Sequence, residues 1–191
     1  MADGIPLPSA RIGRSLYRWR ALNRVKQAAL AAELRVSQAT ISRWEAGALS
    51  PGEREMRSIV ALLRARPTSA ADRALLELVL ASSKPVHLVC DLTHRLLAAS
   101  PPRAAEWRDG ADPLMNRSLW RFASHGIAEG EARLADKGWY EPLAADVVVE
   151  TERAVFPEVT IDAGEIVWAR IPLSDGSFAR LVWDGARARG A

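Results

Sequence analysis

The chain has 191 residues, 49% of them apolar and 26% charged, which excludes wholesale disorder. No stretch approaches the roughly 18 uninterrupted apolar residues of a membrane span, and the first residues, MADGIPLPSARIG, lack the apolar core of a secretory signal. The single cysteine, Cys90, excludes a disulfide within the chain and a cysteine-based zinc finger. We therefore expect a soluble cytoplasmic protein without a metal site.

The net charge of +3 conceals an uneven distribution. Residues 1–66 carry a net charge of +7, and residues 67–191 carry −4. A basic first third joined to an acidic remainder favours a module that binds a polyanion, attached to a second domain with another task.

The first third is predicted to be helical. Residues 1–10 have no periodic pattern and predict a flexible arm, and helical apolar spacing begins at Ile12. Ser50, Pro51 and Glu53 predict a capping box that opens a fourth helix. We expect a first helix that begins at Ile12 and further helices near 27–34, 37–47, 51–66 and 70–81, with 11–66 as one domain and 67–84 as a connecting helix and linker.

The remainder predicts an antiparallel sheet with flanking helices, so the fold class is α+β. Strands are expected at 86–90, 95–99, 147–151, 158–161, 165–173 and 178–183, and helices at 101–107 and 127–137. Asp175-Gly176 between the last two strands is a strong hairpin signal. We expect this domain to span 85–184 and residues 185–191 to form a frayed tail.

The segment from Gln27 to Gly47 has the pattern of a helix-turn-helix, two short helices joined by a few residues. Ala31 is small where the second helix must cross close by. Apolar spacing directs one set of side chains to a shared core, namely Leu30, Leu34, Val36, Ile41 and Trp44. Another set remains on the outside of the second helix, where a major groove would lie: Gln38, Ala39, Thr40, Ser42 and Arg43.

Residues 11–64 resemble the Xre/Cro/lambda-repressor family through Arg20, Gln27, Ala31, Leu34, Val36, Ile41, Glu45, Gly47 and Pro51. The resemblance implies a five-helix DNA-binding domain in which Arg20 and Glu45 form a structural pair. It also implies that Gln27 bonds a phosphate and that Gln38 reads a base. Arg35 departs from the family, which usually has a turn-tolerant residue there, so this position predicts a positive φ or an altered turn.

Each exposed side chain then has an expected role on DNA. Gln38 suits adenine, Ala39 a thymine methyl group, Thr40 either contact, and Arg43 guanine or a phosphate. The expected backbone contacts are Gln27, Lys26, Ser42, Arg18 and Arg24. Because a single module of this size buries little surface on DNA, we expect a homodimer that binds an inverted repeat. Helix 70–81 and the C-terminal sheet are both candidate dimer surfaces.

Residues 85–184 resemble a PAS domain, a small sensory fold, through VHLVCDLTHRLLAASPP, NRSLWRF and the terminal hairpin ending in LVWD. We expect no cofactor: Cys90 lies in a strand, as a structural thiol would, and the candidate haem ligand His125 is more typical of a surface or capping position. The tryptophans at 107, 120, 139, 168 and 183 could line a ligand pocket or anchor a core or interface, and we favour the second.

These features predict a non-enzymatic transcription regulator that binds double-stranded DNA, with a second domain for signal input or for contact with RNA polymerase or another protein. One alternative is a partner-dependent antitoxin or accessory factor. A self-cleaving Ser/Lys repressor is disfavoured, because only Lys84 and Lys137 follow the first domain and neither is placed on a strand beside a serine.

Overall fold

From Ser9 to Leu80 the chain is mainly helical, and after Leu80 it forms strands connected by short helices and loops. A computed structural model describes residues 9–141 and 143–185. The helices of the first part are α1 (Ser9–Leu22), α2 (Gln27–Leu34), α3 (Gln38–Glu45), α4 (Glu53–Leu63) and α5 (Ala70–Leu80). Helix α1 begins at Ser9, two residues before the predicted domain start. The rest of the predicted arm, residues 1–8, and residues 186–191 of the predicted tail lie outside the described residues.

Serine caps explain where two of these helices begin. Ser37 Oγ accepts the backbone N–H of Thr40 at the start of α3. Ser69 and Asp72 form a reciprocal capping box at the start of α5. The capping box predicted at Ser50 is wrong: the residue before α4 is Gly52, in an extended conformation and without a side-chain cap. Glu53 and Glu55 in the first turn favour this helix start through the helix dipole.

Five antiparallel strands form the main sheet of the second part. They are β1 (Val86–Cys90), β2 (Leu96–Ala99), β3 (Val147–Thr151), β6 (Gly164–Pro172) and β7 (Phe178–Asp184), in the order β2-β1-β7-β6-β3. The predicted strand at 158–161 is shorter and does not join this sheet. Its last residues form β5 (Thr160–Ile161), which pairs with β4 (Ala154–Val155) in a separate two-stranded sheet.

The segment between β2 and β3 crosses one face of the main sheet. It contains α6 (Pro101–Ala105), two 3₁₀ helices (Asp112–Leu114 and Leu119–Phe122) and α7 (His125–Ala132). Helix α7 ends five residues before the predicted boundary at 137. Gly130 allows α7 to lie close to β3, since a Cβ atom there would be 2.8 Å from the methyl groups of Val149.

The other face of the sheet packs against the N-terminal helices. One buried cluster contains Leu30 and Ile41 from the helix-turn-helix together with Val79 from α5 and Leu88 and Ala179 from the sheet. The backbone N–H of Ala65 donates to Cys90 Sγ at 3.3 Å, so the cysteine is a buried contact between the two parts. The predicted linker region therefore contributes to a continuous core.

The β6–β7 turn, residues 173–177, makes polar contacts with two helical regions. Asn23, just after α1, donates its side-chain amide to the carbonyl of Asp175 at 3.1 Å. Ser174 donates its backbone N–H and its hydroxyl to the carboxylate of Asp72, at 3.2 Å and 2.5 Å. Burial opposes ionisation of Asp72, but the hydrogen bonds from Ser174 and Ser69 prevail and lower the pKa of Asp72 to about 2.

A cavity of about 410 Å³ lies between the sheet and the segment that crosses it. Three of the five tryptophans of this part, Trp107, Trp120 and Trp168, line the cavity. Trp139 is fully buried and donates its indole N–H to Asp91. The tryptophans thus divide between the two roles considered from the sequence.

Within the described residues, no helix has both the length and the apolar character needed to cross a membrane.

Candidate nucleic-acid interface

Helices α2 and α3 are joined by a three-residue turn whose first residue has left-handed backbone geometry. Arg35 has φ 56° and ψ 44°, and the turn is closed by a hydrogen bond from the N–H of Val36 to the carbonyl of Ala31 at 2.9 Å. Of the two alternatives expected at Arg35, a positive φ or an altered turn, the structure has the positive φ. A non-glycine residue can adopt this conformation at a modest cost in energy, so the arginine does not disrupt the motif.

Helix α3 has one buried face and one exposed face. Ile41 and Trp44 are 0% and 3% exposed and belong to the core. The residues expected to contact DNA are exposed along the helix from its first turn: Gln38, Ala39, Ser42 and Arg43. Thr40 is half-buried. Its hydroxyl lies 2.8 Å from the hydroxyl of Ser37, the residue that caps the helix.

A hydrogen-bonded group centred on Glu45 joins α1, α2 and α3. Arg20 donates Nε to Oε1 of Glu45 at 2.8 Å and Nη2 to Oε2 at 3.0 Å, and Gln27 donates its side-chain amide to Oε2 at 2.9 Å. The hydrogen bond with Glu45 raises the pKa of Arg20 above its ordinary value. Arg20 and Glu45 are therefore engaged with each other, and one N–H of Gln27 is committed within the protein, which leaves the other for a phosphate.

The other expected phosphate contacts lie in two places. Lys26 and Arg24 are exposed just before α2, near Gln27. Arg24 has φ 54°, a left-handed conformation. Arg18 is half-buried on α1, and its charge contributes to lowering the pKa of Arg170 on β6, after the larger effect of burial. The charge of Arg18 therefore contributes to the basic N-terminal part and also influences Arg170 in the C-terminal sheet.

Gly13 is a positioning residue of this site that sequence reasoning missed. Helix α1 crosses the end of α3 so closely that a Cβ atom on Gly13 would lie 2.0 Å from the carbonyl oxygen of Trp44. The only local signal was a glycine inside a helical apolar pattern, next to Ile12. This contact sets how deeply α3 packs against the rest of the domain.

His125, the candidate haem ligand, and Lys137, one of the two lysines after the first domain, form hydrogen bonds with the C-terminal part of the protein. His125 begins α7, is exposed, and donates its backbone N–H to Glu152 at 2.6 Å. Lys137 donates to the carbonyl of Val148 at 3.2 Å, and Lys84 is exposed before β1. His125 is not part of the cavity lining.

A family model described as Helix-turn-helix matches residues 16–68. The matched segment holds α2, the turn and α3 and is a helix-turn-helix domain of the Xre/lambda-repressor type. A domain of this type indicates a DNA-binding transcription regulator and implies DNA as a partner. No curated protein matches the chain.

Proposed function

We propose that this protein is a sequence-specific transcription regulator that places α3 in the major groove of DNA. The observation that carries the proposal is the division of α3, whose apolar face is buried while Gln38, Ala39 and Arg43 are exposed. Gln38 reads adenine through a bidentate contact, Ala39 packs on a thymine methyl group and Arg43 binds guanine or a phosphate. The methyl group of Thr40 contributes an apolar contact on the same exposed face of α3.

The backbone contacts come from Lys26, Gln27, Arg24, Ser42 and Arg18. Their role is to hold the domain in register, and the net charge of +7 over residues 1–66 supports it. The protein acts in the cytoplasm, bound to the nucleoid, and has no enzymatic activity.

The proposed DNA-bound form is a homodimer on an inverted repeat. A single small module buries too little surface for tight specific binding, and a two-fold symmetric pair reads two half-sites about one helical turn apart. Helix α5, on which Leu78 and Leu80 are 72% and 46% exposed, and the C-terminal sheet are the two candidate surfaces for the second copy.

The proposed role of residues 85–184 is that of a PAS-like domain for signal input or protein contact. Supporting it are the five-stranded antiparallel sheet, the helices across one of its faces and the cavity between them. The signal acts by shifting the protein between arrangements that do and do not bind DNA. Repression or activation then follows from blocking or recruiting RNA polymerase.

Selection of genomic fragments by the purified protein tests DNA reading. We expect enrichment of a short palindromic motif, and we expect Gln38→Ala to lose about 1–3 kcal/mol of binding free energy and to relax the preference at one position. Arg24→Ala serves as a contrast, because a lost phosphate contact weakens binding to all sequences equally and reduces the salt dependence.

Two outcomes would contradict the proposal. Retention that only decays with salt, without a motif, would mean non-specific phosphate binding. Identical effects of Gln38→Ala and Arg24→Ala would mean that α3 does not read bases. A protein partner that docks on residues 85–184 would then become the leading explanation.

A further inference from the structure

The cavity in the C-terminal part is large enough for a small organic molecule. Its volume of about 410 Å³ lies in the range of pockets that enclose such ligands. The sheet contributes Val89, Ile166 and Val182, and the segment crossing the sheet contributes Leu119, Phe122 and Ile127. Most of the lining is therefore apolar and would favour a ligand with an apolar body.

The aromatic part of the lining is suited to a positive charge. Trp107, Trp120 and Trp168 line the cavity, and the face of an indole ring attracts cations. Trp168 already does so, because the guanidinium carbon of Arg180 lies 4.5 Å from the centroid of its ring. Among the indole rings that line the cavity, the ring of Trp168 therefore already stabilises a buried cation, the guanidinium group of Arg180.

The basic side chains of the lining are engaged with protein carboxylates. Arg180 donates to Asp91 and to Glu131, each at 2.7 Å. Arg103 donates to Asp184 at 2.5 Å and to Glu106 at 2.6 Å. An anionic ligand would have to displace one of these carboxylates or remain without a counter-ion, and both are costly away from water.

His94 and His87 do not change this balance. Nε2 of His94 lies 3.3 Å from Glu131, so any positive charge on its ring faces a carboxylate. Burial, and to a lesser degree the charge of Arg103, holds the pKa of His87 well below its ordinary value. His87 is therefore neutral at physiological pH, and it lines the cavity with its buried Nδ1 lacking a hydrogen-bond partner in the structure.

Carboxylates outnumber guanidinium groups in the lining. Four carboxylates, those of Glu106, Asp162, Glu165 and Asp184, face two arginines. Among residues 9–141 and 143–185, no basic side chain forms an ion pair with Asp162 or Glu165. The two carboxylates are exposed where β6 begins, at the edge of the cavity. They provide the negative charge that a cationic ligand would need.

We propose that the cavity binds a small amphipathic organic cation, an apolar ring or chain carrying an ammonium group. The apolar body lies among the aliphatic and indole side chains, and the ammonium group lies near Glu165 and Asp162. The inference rests on the proposed sensory role of residues 85–184 and specifies the chemical class of the signal.

Calorimetry on the full-length protein with three matched probes tests the inference. The probes are 2-phenylethylammonium, phenylacetate and 2-phenylethanol, which share a ring and differ in charge. We expect the ammonium compound to bind at least about tenfold more tightly than phenylacetate and several-fold more tightly than the alcohol. Glu165→Gln is expected to lower the affinity for the ammonium compound several-fold and to leave that for the alcohol unchanged.

Two further variants complete the design. Asp109→Asn removes an exposed carboxylate that does not line the cavity and is expected to change nothing. Leu119→Trp fills the cavity and is expected to weaken the binding of all three probes, with circular dichroism confirming that the variant is folded. Phenylacetate binding as tightly as the ammonium compound, no binding of the ammonium compound, or binding indifferent to both Glu165→Gln and Leu119→Trp would overturn the inference.

DNA binding by the same preparations separates the two proposals. Failure of ammonium binding together with intact motif-specific DNA binding overturns the ligand class alone. Loss of motif-specific DNA binding with intact ammonium binding overturns the proposed reading of DNA, and the cavity inference stands.

Discussion

At the scale of single residues, Glu45 joins three helices through one carboxylate. The side chains of Arg20 and Glu45 are only 16% and 6% exposed, so removing the carboxylate leaves a poorly solvated guanidinium group and an amide without their acceptor. We expect Glu45→Ala to lower the free energy of unfolding by about 2–3 kcal/mol. Urea denaturation followed by circular dichroism measures this.

Glu129→Ala is the matched control for that prediction. Glu129 also pairs with an arginine, Arg133, one helical turn away, but both side chains are exposed. We expect a change within about 0.5 kcal/mol, because exposed ion pairs contribute little. Equal losses in the two variants would show that the Glu45 group does not stabilise the helix-turn-helix.

Asp72 gives the stability of the protein a defined dependence on acid pH. Its pKa is about 2 in the folded protein and 3.8 without these contacts. The stabilisation is therefore fully present above pH 3.8 and is lost as the pH falls toward 2. From pH 2 to pH 5, we expect wild type to gain about 2 kcal/mol relative to Asp72→Asn.

Unfolding by urea at a series of pH values measures that difference. The exposed Asp109→Asn variant should follow the wild-type pH profile throughout. Parallel curves for wild type and Asp72→Asn would mean that the contacts with Ser174 and Ser69 do not depend on the charge of Asp72.

At the scale of elements, the crossing of α1 and α3 depends on the absence of a side chain at residue 13. Helix propensity alone would make Gly13→Ala stabilising by about 1 kcal/mol. Because the added methyl group would lie 2.0 Å from the carbonyl oxygen of Trp44, we expect the opposite, a loss of about 1–3 kcal/mol as the helices separate. Thermal unfolding gives the sign directly.

Ala21→Gly on the exposed side of the same helix provides the comparison. It changes propensity in the reverse direction without altering a close contact, and because Ala21 is the last residue but one of α1 we expect it to cost less than about 1 kcal/mol. A stabilised Gly13→Ala protein would show that α1 and α3 have room to approach differently.

The elements best predicted from the sequence are those determined by neighbouring residues. Ser37 as a cap, Arg35 as the positive-φ residue and the Asp175-Gly176 hairpin all follow from local backbone chemistry. The prediction of a capping box at Ser50 was wrong although the residue types fit the motif, because the backbone is still extended at Gly52 and the helix begins only at Glu53. Local signals identify candidate helix starts, and tertiary packing decides among them.

At the scale of the whole molecule, the shared core predicts that the two parts unfold together. Leu88 of β1 is fully buried in the same cluster as Leu30 and Ile41. We expect Leu88→Ala to cost about 2–5 kcal/mol and to destabilise the N-terminal helices along with the sheet. Far-ultraviolet circular dichroism and tryptophan fluorescence should report coincident transitions in wild type and variant.

Separate transitions would contradict this prediction. A helical signal that persists after the fluorescence change would identify the helix-turn-helix as an independent unit. In that case the contacts of Ala65 with Cys90 and of Asn23 with Asp175 would not be enough to couple the two parts.

The arrangement of the whole molecule could not be predicted from the sequence. Asp91 accepts hydrogen bonds from Trp139, Arg170 and Arg180, which follow it by 48, 79 and 89 residues. No local pattern links these residues, and the order of strands that brings them together depends on long-range pairing. The cavity likewise appears only when the segment after β2 is folded across the sheet.

The tethered β6–β7 turn has a consequence for anyone building a fluorescent reporter from this protein. The tip of a hairpin is normally a good place to insert a second domain. Here, however, Ser174 contacts α5 and Asp175 contacts the residue after α1. A guest domain inserted in that turn would disturb these contacts with the N-terminal helices, and its signal would reflect the disturbance caused by the insertion. Leu143, 96% exposed in the segment before β3, marks a better site for a guest domain, because so exposed a side chain makes few contacts with the rest of the protein.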